Sequence, residues 1–487
     1  MTASNPNQDL APQWFWGLFA ALLMARFLGL AFAGFPVGPD EGQYWAYGQE
    51  AAFGHYSKPP LLGWLIALGE WIWGHNPLGL RFFIVVIHGL IALLLVRIAE
   101  LLGVSGGRWA GLLYLTLPAV AYSSNIASTD PPMMLGWTLA LYGVVRAQHR
   151  PIIGFFWAGL GCGLAMLGKY TALSIFLMVV LSWWFSVQRP KIWPGILVFL
   201  VMAFLVMAPN LYWNAQNDFA SFRHVGENAA LDGPLFHPDH MLEFVIAQFG
   251  IFGPLLMLAL IMASWKACFG AGLPQIRLLL VWVWPLLLVI VIQSLLSRAH
   301  ANWAAPVYVA ASLVVAISLL QQNRRVWMQI SCAFGILLTL GLPCAQVLVA
   351  QHHTQWDDRY DLAKRFRFAD ALAADMADVV KPNYNLLSHD RKLLSLLVYR
   401  LDHEVTQIRA LTRGHPGNHY EMAYPFSVEE EGCYIFAGRH GLAPLKKFLG
   451  EHGGLIKDQW QRRYRTHKDR EVLVDLAQLE IGEGQCR

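Results

Sequence analysis

The chain of 487 residues is 56% hydrophobic and only 14% charged, and it contains 20 tryptophans. A typical soluble domain is about 25% charged, so we expect most of this chain to lie in lipid. The net charge of +4 is too small to indicate nucleic-acid binding, and the six cysteines form no CxxC pair typical of a metal site. Composition therefore favours a polytopic membrane protein with no nucleic-acid partner.

Apolar runs recur from the N-terminus to about residue 350. The first run, 14–35, exceeds the ~20 residues that a crossing helix needs and lacks the basic region of a cleaved signal peptide. With this run, we predict about eleven transmembrane helices. The other runs lie near 78–102, 107–124, 131–148, 152–168, 171–187, 192–213, 241–265, 276–297, 301–320 and 326–350.

The short loops between these runs predict the orientation. If the N-terminus is cytoplasmic, the inner loops carry most of the arginine and lysine, as the positive-inside rule requires. The C-terminus is then extracytoplasmic, and loops 36–77 and 214–240 face outward. Topology does not explain the few outward cations, which become candidates for binding an anionic ligand. They are chiefly Lys58, Lys169, Arg223 and Arg298.

The composition changes near Gln351. Charged residues become frequent, no run is long enough to span, and proline and glycine mark turns. We therefore predict a membrane module over 1–350 and a small soluble α/β domain over 351–487, outside the cytoplasm. In that compartment Cys433 and Cys486 are candidates for a disulfide.

Loop 36–77 opens with an acidic pair, Asp40 and Glu41, and continues to a lysine, Lys58, ahead of two prolines. The pair also suits the first turn of a helix, and the lysine suits an interfacial position. An aspartate at the water boundary stays ionised and can accept a proton from an attacking hydroxyl. A lysine on a stiff, proline-bounded stretch can neutralise a departing phosphate. The interleaved aromatic residues over 40–54 predict a helix in the membrane interface.

Further polar residues stand where apolar runs meet the outer side. They are Asp130, Lys169, Arg298, His300 and Asn302. Asp130 stands before two prolines, a pattern that also fits the start of a helix. An arginine that faces outward can hold a phosphate through two parallel hydrogen bonds. His224 and Glu227, in loop 214–240, belong either to a lid over the substrate or to an ordinary solvated loop.

Several segments together resemble the GT-C membrane glycosyltransferases, in the branch of protein mannosyltransferase-like enzymes and the lipid A aminoarabinose transferase. The segments are Asp40-Glu41, Tyr56-Ser57-Lys58-Pro59-Pro60, Thr129-Asp130-Pro131-Pro132, Gly168-Lys169-Tyr170 and Asn302-Trp303. Within this branch the chain most resembles the galacturonosyltransferases that modify lipid A and core sugars in rhizobia. The resemblance covers about residues 14–350.

This resemblance implies a polyprenyl-phosphate sugar donor, a glycolipid acceptor such as lipid A, and a periplasmic site in a bacterial inner membrane. It implies that Asp40 is the base and that Lys58 and Arg298 hold the donor phosphate, with Tyr56 nearby. The aminoarabinose transferase has a glutamate where this chain has Ser57. No metal-ligand set or cofactor motif is evident in the sequence, although a divalent metal could share the phosphate-binding role.

Two other functions fit the same residues. A transporter or flippase of a lipid-linked sugar would use the outward cations for binding alone, although such proteins often contain repeated halves and no repeat is visible. A transferase acting on protein or on a cell-wall polymer would differ in its acceptor.

Overall fold

The structure is a computed structural model of the chain. It describes residues 9–33, 35–185, 192–229, 235–270, 272–377, 379, 384–401, 407–412, 415–427, 429–439, 441–452 and 454–481.

The described residues are mostly helical. In chain order the helices are α1 (Pro12–Phe32), α2 (Pro39–Gln49), α3 (Leu61–Trp73), α4 (Pro77–Leu102), α5 (Gly107–Leu115), α6 (Pro118–Ser123), α7 (Asp130–Ala147), α8 (Pro151–Gly168), α9 (Ile175–Phe185), α10 (Ile192–Gln216), α11 (Ala220–Ala229), α12 (Pro238–Phe252), α13 (Pro254–Phe269), α14 (Pro274–Val281), α15 (Trp284–Leu296), α16 (Val307–Gln321), α17 (Arg325–His352), α18 (Ala369–Ala377), α19 (Arg391–Arg400), α20 (His419–Ala423) and α21 (Ala443–His452). Short 3-10 helices cover Tyr170–Ser174, Ala301–Ala304 and Asp358–Tyr360.

The polytopic helical architecture predicted from the sequence is confirmed. Within the described part of the chain, six helices are long and apolar enough to cross a membrane, or seven if one bent pair counts as a single span. The expected run 241–265 is that pair, because α12 and α13 are bent by 105° at Gly253. Gly253 has a φ of 95°, a conformation that glycine adopts without strain. The run 107–124 is likewise divided, into α5 and α6, ahead of Pro118.

The chain forms two compact units. The first comprises residues 1–32, 58–62 and 81–343, and the second comprises 33–57, 63–80 and 344–487. The second unit therefore includes most of the loop 36–77, which is predicted to face outward, as well as the C-terminal region.

In the first unit, α7 and α8 pack with their backbones in close approach. A Cβ atom at Gly143 would lie 2.2 Å from the backbone nitrogen of Ala158, and one at Gly136 would lie 2.4 Å from that of Ala165. Small residues at such positions are the usual means of close helix packing in membranes. This packing fixes the positions of the N-terminus of α7 and the C-terminus of α8, where polar residues lie.

The second unit contains a mixed five-stranded sheet of order β2-β1-β3-β5-β4. Its strands are β1 (Tyr384–Ser388), β2 (Ile408–Ala410), β3 (Gly432–Gly438), β4 (Leu455–His467) and β5 (Arg470–Ile481). Strands β2, β1 and β3 are parallel, whereas β5 runs antiparallel to β3 and to β4. Helices pack with this sheet in the C-terminal region, which is therefore an α/β domain, and its apolar stretches 393–398 and 434–437 lie in α19 and β3.

Helix α2 belongs to this second unit and packs on α19. A Cβ atom at Gly42 would lie 2.1 Å from the carbonyl oxygen of Ser395, so only glycine fits between the two backbones. Cys433 is buried on β3, while Cys486, its candidate disulfide partner, lies outside the described residues.

Candidate active site

The acidic pair lies in the first turn of α2, directly after Pro39. Glu41 is buried, and its Oε2 accepts a hydrogen bond from the backbone nitrogen of Gly38 at 3.1 Å. Its carboxylate therefore satisfies a backbone N–H that the helix start leaves without an intrahelical partner, and it suits the positive end of the helix dipole. Asp40 faces outward, with 70% of its side chain exposed. The two adjacent carboxylates thus have different surroundings.

The Asp40 carboxylate is held through one oxygen. Both terminal guanidinium nitrogens of Arg391, at the start of α19, donate to its Oδ1 at 3.2 and 3.3 Å. Arg391 also donates to Oε1 of Gln43, one helical turn along α2. Oδ2 of Asp40 has no hydrogen-bond partner among the residues that the structure describes. An ionised carboxylate oriented in this way has one oxygen available to accept a proton.

A buried polar chain continues from Gln43 along α2. Gln43 donates to the hydroxyl of Tyr47, which lies 3.3 Å from the hydroxyl of Ser57. Burial raises the pKa of Tyr47 to about 12, although the hydrogen bonds with Ser57 and Gln43 oppose this shift. The Tyr56 hydroxyl donates to the carbonyl of Pro416 at 3.2 Å. The stretch just before Lys58 is therefore tied within the second unit.

Three of the predicted residues meet in the first unit. Lys169, which follows α8, lies 2.7 Å from Oδ1 of Asp130 at the start of α7. Asn302, in a short 3-10 helix, donates to Oδ2 of the same carboxylate at 2.6 Å. The side chains of Asp130 and Lys169 are only 12% and 14% exposed. Asp130 thus joins three separate segments at a largely buried ion pair.

Arg298 and His300 lie in the loop that leads to Asn302. Both are exposed, and the His300 ring meets the Trp303 ring edge-on at 5.7 Å. Arg298 makes no hydrogen bond or ion pair with any part of the chain that the structure describes. Lys58 is half-buried and belongs to the first unit, whereas Asp40 and Tyr56 belong to the second.

The candidate lid residues lie on a helix. His224 and Glu227 are one turn apart on α11, with 3.8 Å between the ring nitrogen and the carboxylate oxygen. Residues 230–234 of this loop lie outside the described residues.

Comparisons with known proteins agree with this architecture. Residues 57–213 match the family described as dolichyl-phosphate-mannose-protein mannosyltransferase. The lipid A galacturonosyltransferase RgtD of Rhizobium johnstonii is 29% identical over 414 residues, which cover 82% of this chain and 85% of that protein. An undecaprenyl phosphate-alpha-4-amino-4-deoxy-L-arabinose arabinosyl transferase of Pseudomonas savastanoi is 28% identical over 176 residues, 31% of this chain and 32% of its own.

A solved structure matches nearly the whole chain. ArnT from Cupriavidus metallidurans, bound to undecaprenyl phosphate, superposes with a TM-score of 0.63 at 13% identity, covering 96% of this chain and 98% of that one. At this identity the likeness concerns the fold. Its fold is that of ArnT, and its sequence is similar to the sequences of membrane glycosyltransferases.

Two groups in this chain are not evident from its sequence. One is Arg391, the partner of Asp40. The other is formed by Glu50, His55 and His419, whose ligand-type atoms all lie within 4.8 Å of one another and could hold a metal ion. Arg391 and His419 lie more than 350 residues from Asp40 and Glu50, respectively, so their spacing carries no signal. A second such group, His237, Asp239 and His240, is more exposed.

Proposed function

We propose that this chain is a glycosyltransferase, which moves a sugar from a polyprenyl-phosphate donor to a hydroxyl of a lipid A-type glycolipid, with inversion, at the periplasmic face of the inner membrane. The similarity to a lipid A galacturonosyltransferase over most of both chains supports the acceptor class and makes galacturonic acid the favoured sugar. The similarity to an undecaprenyl-phosphate aminoarabinose transferase supports the donor class.

The observation that carries the mechanism is the exposed Oδ2 of Asp40, beside an Oδ1 that Arg391 holds. In the proposed step, Oδ2 removes the proton of the acceptor hydroxyl while that oxygen attacks the anomeric carbon. The bond from this carbon to the phosphate oxygen breaks at the same time, and its electron pair leaves with the polyprenyl phosphate. Because the leaving group is already a phosphate, the step requires no general acid.

Lys58 and Arg298 are assigned to the phosphate. Fixed cations stabilise the negative charge that the phosphate gains as it leaves, and an arginine fork matches phosphate oxygens. The exposed guanidinium of Arg298, without a partner among the described residues, supports this role.

The remaining candidates are assigned to positioning and to the sugar. Asp130 and Lys169 anchor Asn302, and this contact steadies the loop that carries Arg298 and His300. Glu41 caps α2 and so fixes the direction of Asp40. His300 is assigned to the sugar or phosphate oxygens. Tyr56 is assigned to holding the segment ahead of Lys58, and His224 and Glu227 to a helix that covers the substrate.

Reconstitution tests this function directly. Purified protein in liposomes receives radiolabelled polyprenyl-phosphate galacturonic acid and lipid A, with the aminoarabinose donor in parallel. We expect the label to appear in lipid A with the galacturonic acid donor, as detected by mass spectrometry of the glycolipid.

The other outcomes each oppose the proposal. Movement of the labelled donor across the bilayer without a new glycolipid would make the protein a carrier. Label transferred only to added protein or cell-wall polymer would refute the acceptor class. Transfer from the aminoarabinose donor alone would refute the assigned sugar.

A further inference from the structure

Three side chains of the second unit form a cluster that has no part in the role proposed for Asp40. Glu50 caps the C-terminus of α2, His55 lies in the connection to α3, and His419 begins α20 of the C-terminal domain. One candidate ligand atom from each lies within 4.8 Å of the other two. The cluster joins the first outward loop to a segment more than 360 residues later in the chain.

The distances in this cluster suit a shared cation. Oε1 of Glu50 lies 3.1 Å from Nε2 of His419, and Oε2 lies 3.4 Å from Nδ1 of His55. Ligands about 2.0–2.2 Å from one tetrahedral metal ion are separated by roughly 3.3 Å. Small side-chain movements would therefore bring the three donors onto one ion.

The two imidazoles are buried and fixed in orientation. The side chains of His55 and His419 are 0% and 2% exposed. The Tyr47 ring stacks on His55 at 3.9 Å and meets His419 edge-on at 4.6 Å. Because these contacts hold the rings, little conformational entropy would be lost when an ion binds.

We propose that Glu50, His55 and His419 bind one divalent transition-metal ion of the zinc class. Two imidazoles and one carboxylate are a common zinc ligand set, which leaves a fourth position for water. Tyr424 donates a hydrogen bond to Oε1 of Glu50 and so orients the carboxylate from outside the coordination sphere. The ion is structural, because it ties the segment 50–57 to the C-terminal domain.

Cobalt binding by the full-length protein tests this site without an activity assay. Protein purified in detergent is stripped with a chelator, dialysed and titrated with Co²⁺. We expect the visible absorption of tetrahedral Co²⁺ to saturate at one ion per chain, and added Zn²⁺ to displace it. His419→Gln and His55→Gln are expected to abolish this absorption.

Two control variants sharpen the result. His415→Gln removes an exposed histidine four residues before His419 and should bind Co²⁺ as the wild type does. Tyr424→Phe keeps all three ligands and should weaken binding about 10-fold through loss of carboxylate orientation.

The titration can also overturn the proposal. If the wild type binds no cobalt or zinc stoichiometrically, Glu50 is the acceptor of a hydrogen-bonded cluster and no metal site exists. If His419→Gln binds as tightly as the wild type, the ion lies elsewhere. The wild-type titration decides the matter even where a histidine variant fails to fold.

Discussion

The two units of the molecule each contain a carboxylate paired with a cation, and the two pairs differ in burial. In the first unit, Asp130 and Lys169 are 12% and 14% exposed. In the second, Asp40 and Arg391 are 70% and 29% exposed. A buried pair is committed to holding segments together, whereas an exposed carboxylate remains available to a substrate. The difference in burial therefore favours a positioning role for the buried pair and a chemical role for the exposed carboxylate.

The pairs also differ in their distance along the chain. Lys169 is 39 residues from Asp130, and each lies at an end of an apolar run that is predicted to face outward. Arg391 is 351 residues from Asp40 and lies in the soluble domain. The predicted membrane topology therefore indicates the first pair, but it does not indicate the second.

Removing Asp130 should have the largest effect on stability. Asp130→Ala leaves the Lys169 ammonium buried without its partner, and we expect a loss of about 3–5 kcal/mol of unfolding free energy. The exposed counterpart, Asp40→Ala, should cost less than about 1 kcal/mol. Denaturant unfolding of the detergent-solubilised chain measures both. Equal losses would erase the distinction between the two pairs.

The double variant Asp130→Ala/Lys169→Met sharpens this test. Because it removes the uncompensated charge as well, it should recover part of the lost stability. A double variant less stable than Asp130→Ala would show that burial of the lone cation is not the cause.

Helix α2 should be sensitive to added volume at its contact with α19. Gly42→Ala places a Cβ atom against the Ser395 carbonyl, and we expect a loss of about 1–3 kcal/mol from overpacking. Gly250→Ala is the matched control, since a Cβ atom at that helical position would meet no described atom within 4 Å beyond the adjacent residues and backbone of its own helix. A Gly42→Ala protein as stable as the control would contradict the close packing of α2 on α19.

Arg391 should affect turnover more than substrate binding. Arg391→Lys keeps the charge but loses the two-nitrogen grip on Oδ1 of Asp40, so we expect kcat to fall about 10-fold with KM little changed. Lys392→Met, which removes the exposed neighbouring charge, should leave both constants unchanged. A rise in KM alone would instead assign Arg391 to substrate binding.

The smallest effect is a pH dependence within the second unit. Burial alone would raise the pKa of Asp361, but Arg367, the Ala363 N–H and His467 hold that pKa below its usual value. The carboxylate therefore stabilises the fold above the unfolded pKa of about 4, and this contribution is lost as the pH falls through the lower folded value.

Melting temperatures of the wild type and of Asp361→Asn, measured over a range of pH, test this contribution. The difference between them should be constant from pH 7 to about 5 and should shrink below about pH 4. A difference that widens on acidification would reverse the assigned sign.

Much of the fold follows from local sequence patterns. Long apolar runs with few charges gave α1, α4, α8 and α17, because hydrogen bonding in lipid requires a continuous helix. The run 241–265 contains two helices that meet at the bend at Gly253, although its hydropathy is continuous across the bend. Hydropathy averages over a window and does not detect one residue of positive φ.

Likewise, only some residues of the candidate site can be predicted from local sequence patterns. The positions of Asp130, Lys169 and Asn302 at predicted outer membrane exits indicate these residues, and the structure brings them together. Arg391 and His419 lie among many polar residues of the C-terminal domain, where neither position nor spacing distinguishes them. Their partners are set by tertiary packing of α19 and α20, which no local pattern encodes.

Replacing the proposed base tests the central claim most directly. In Asp40→Asn the amide occupies the same volume and can still accept from Arg391, so the melting temperature should stay near that of the wild type. Turnover of polyprenyl-phosphate sugar and lipid A should fall by about 10²–10⁴-fold, because the amide cannot take the acceptor proton. A folded Asp40→Asn protein with wild-type turnover would show that another group is the base.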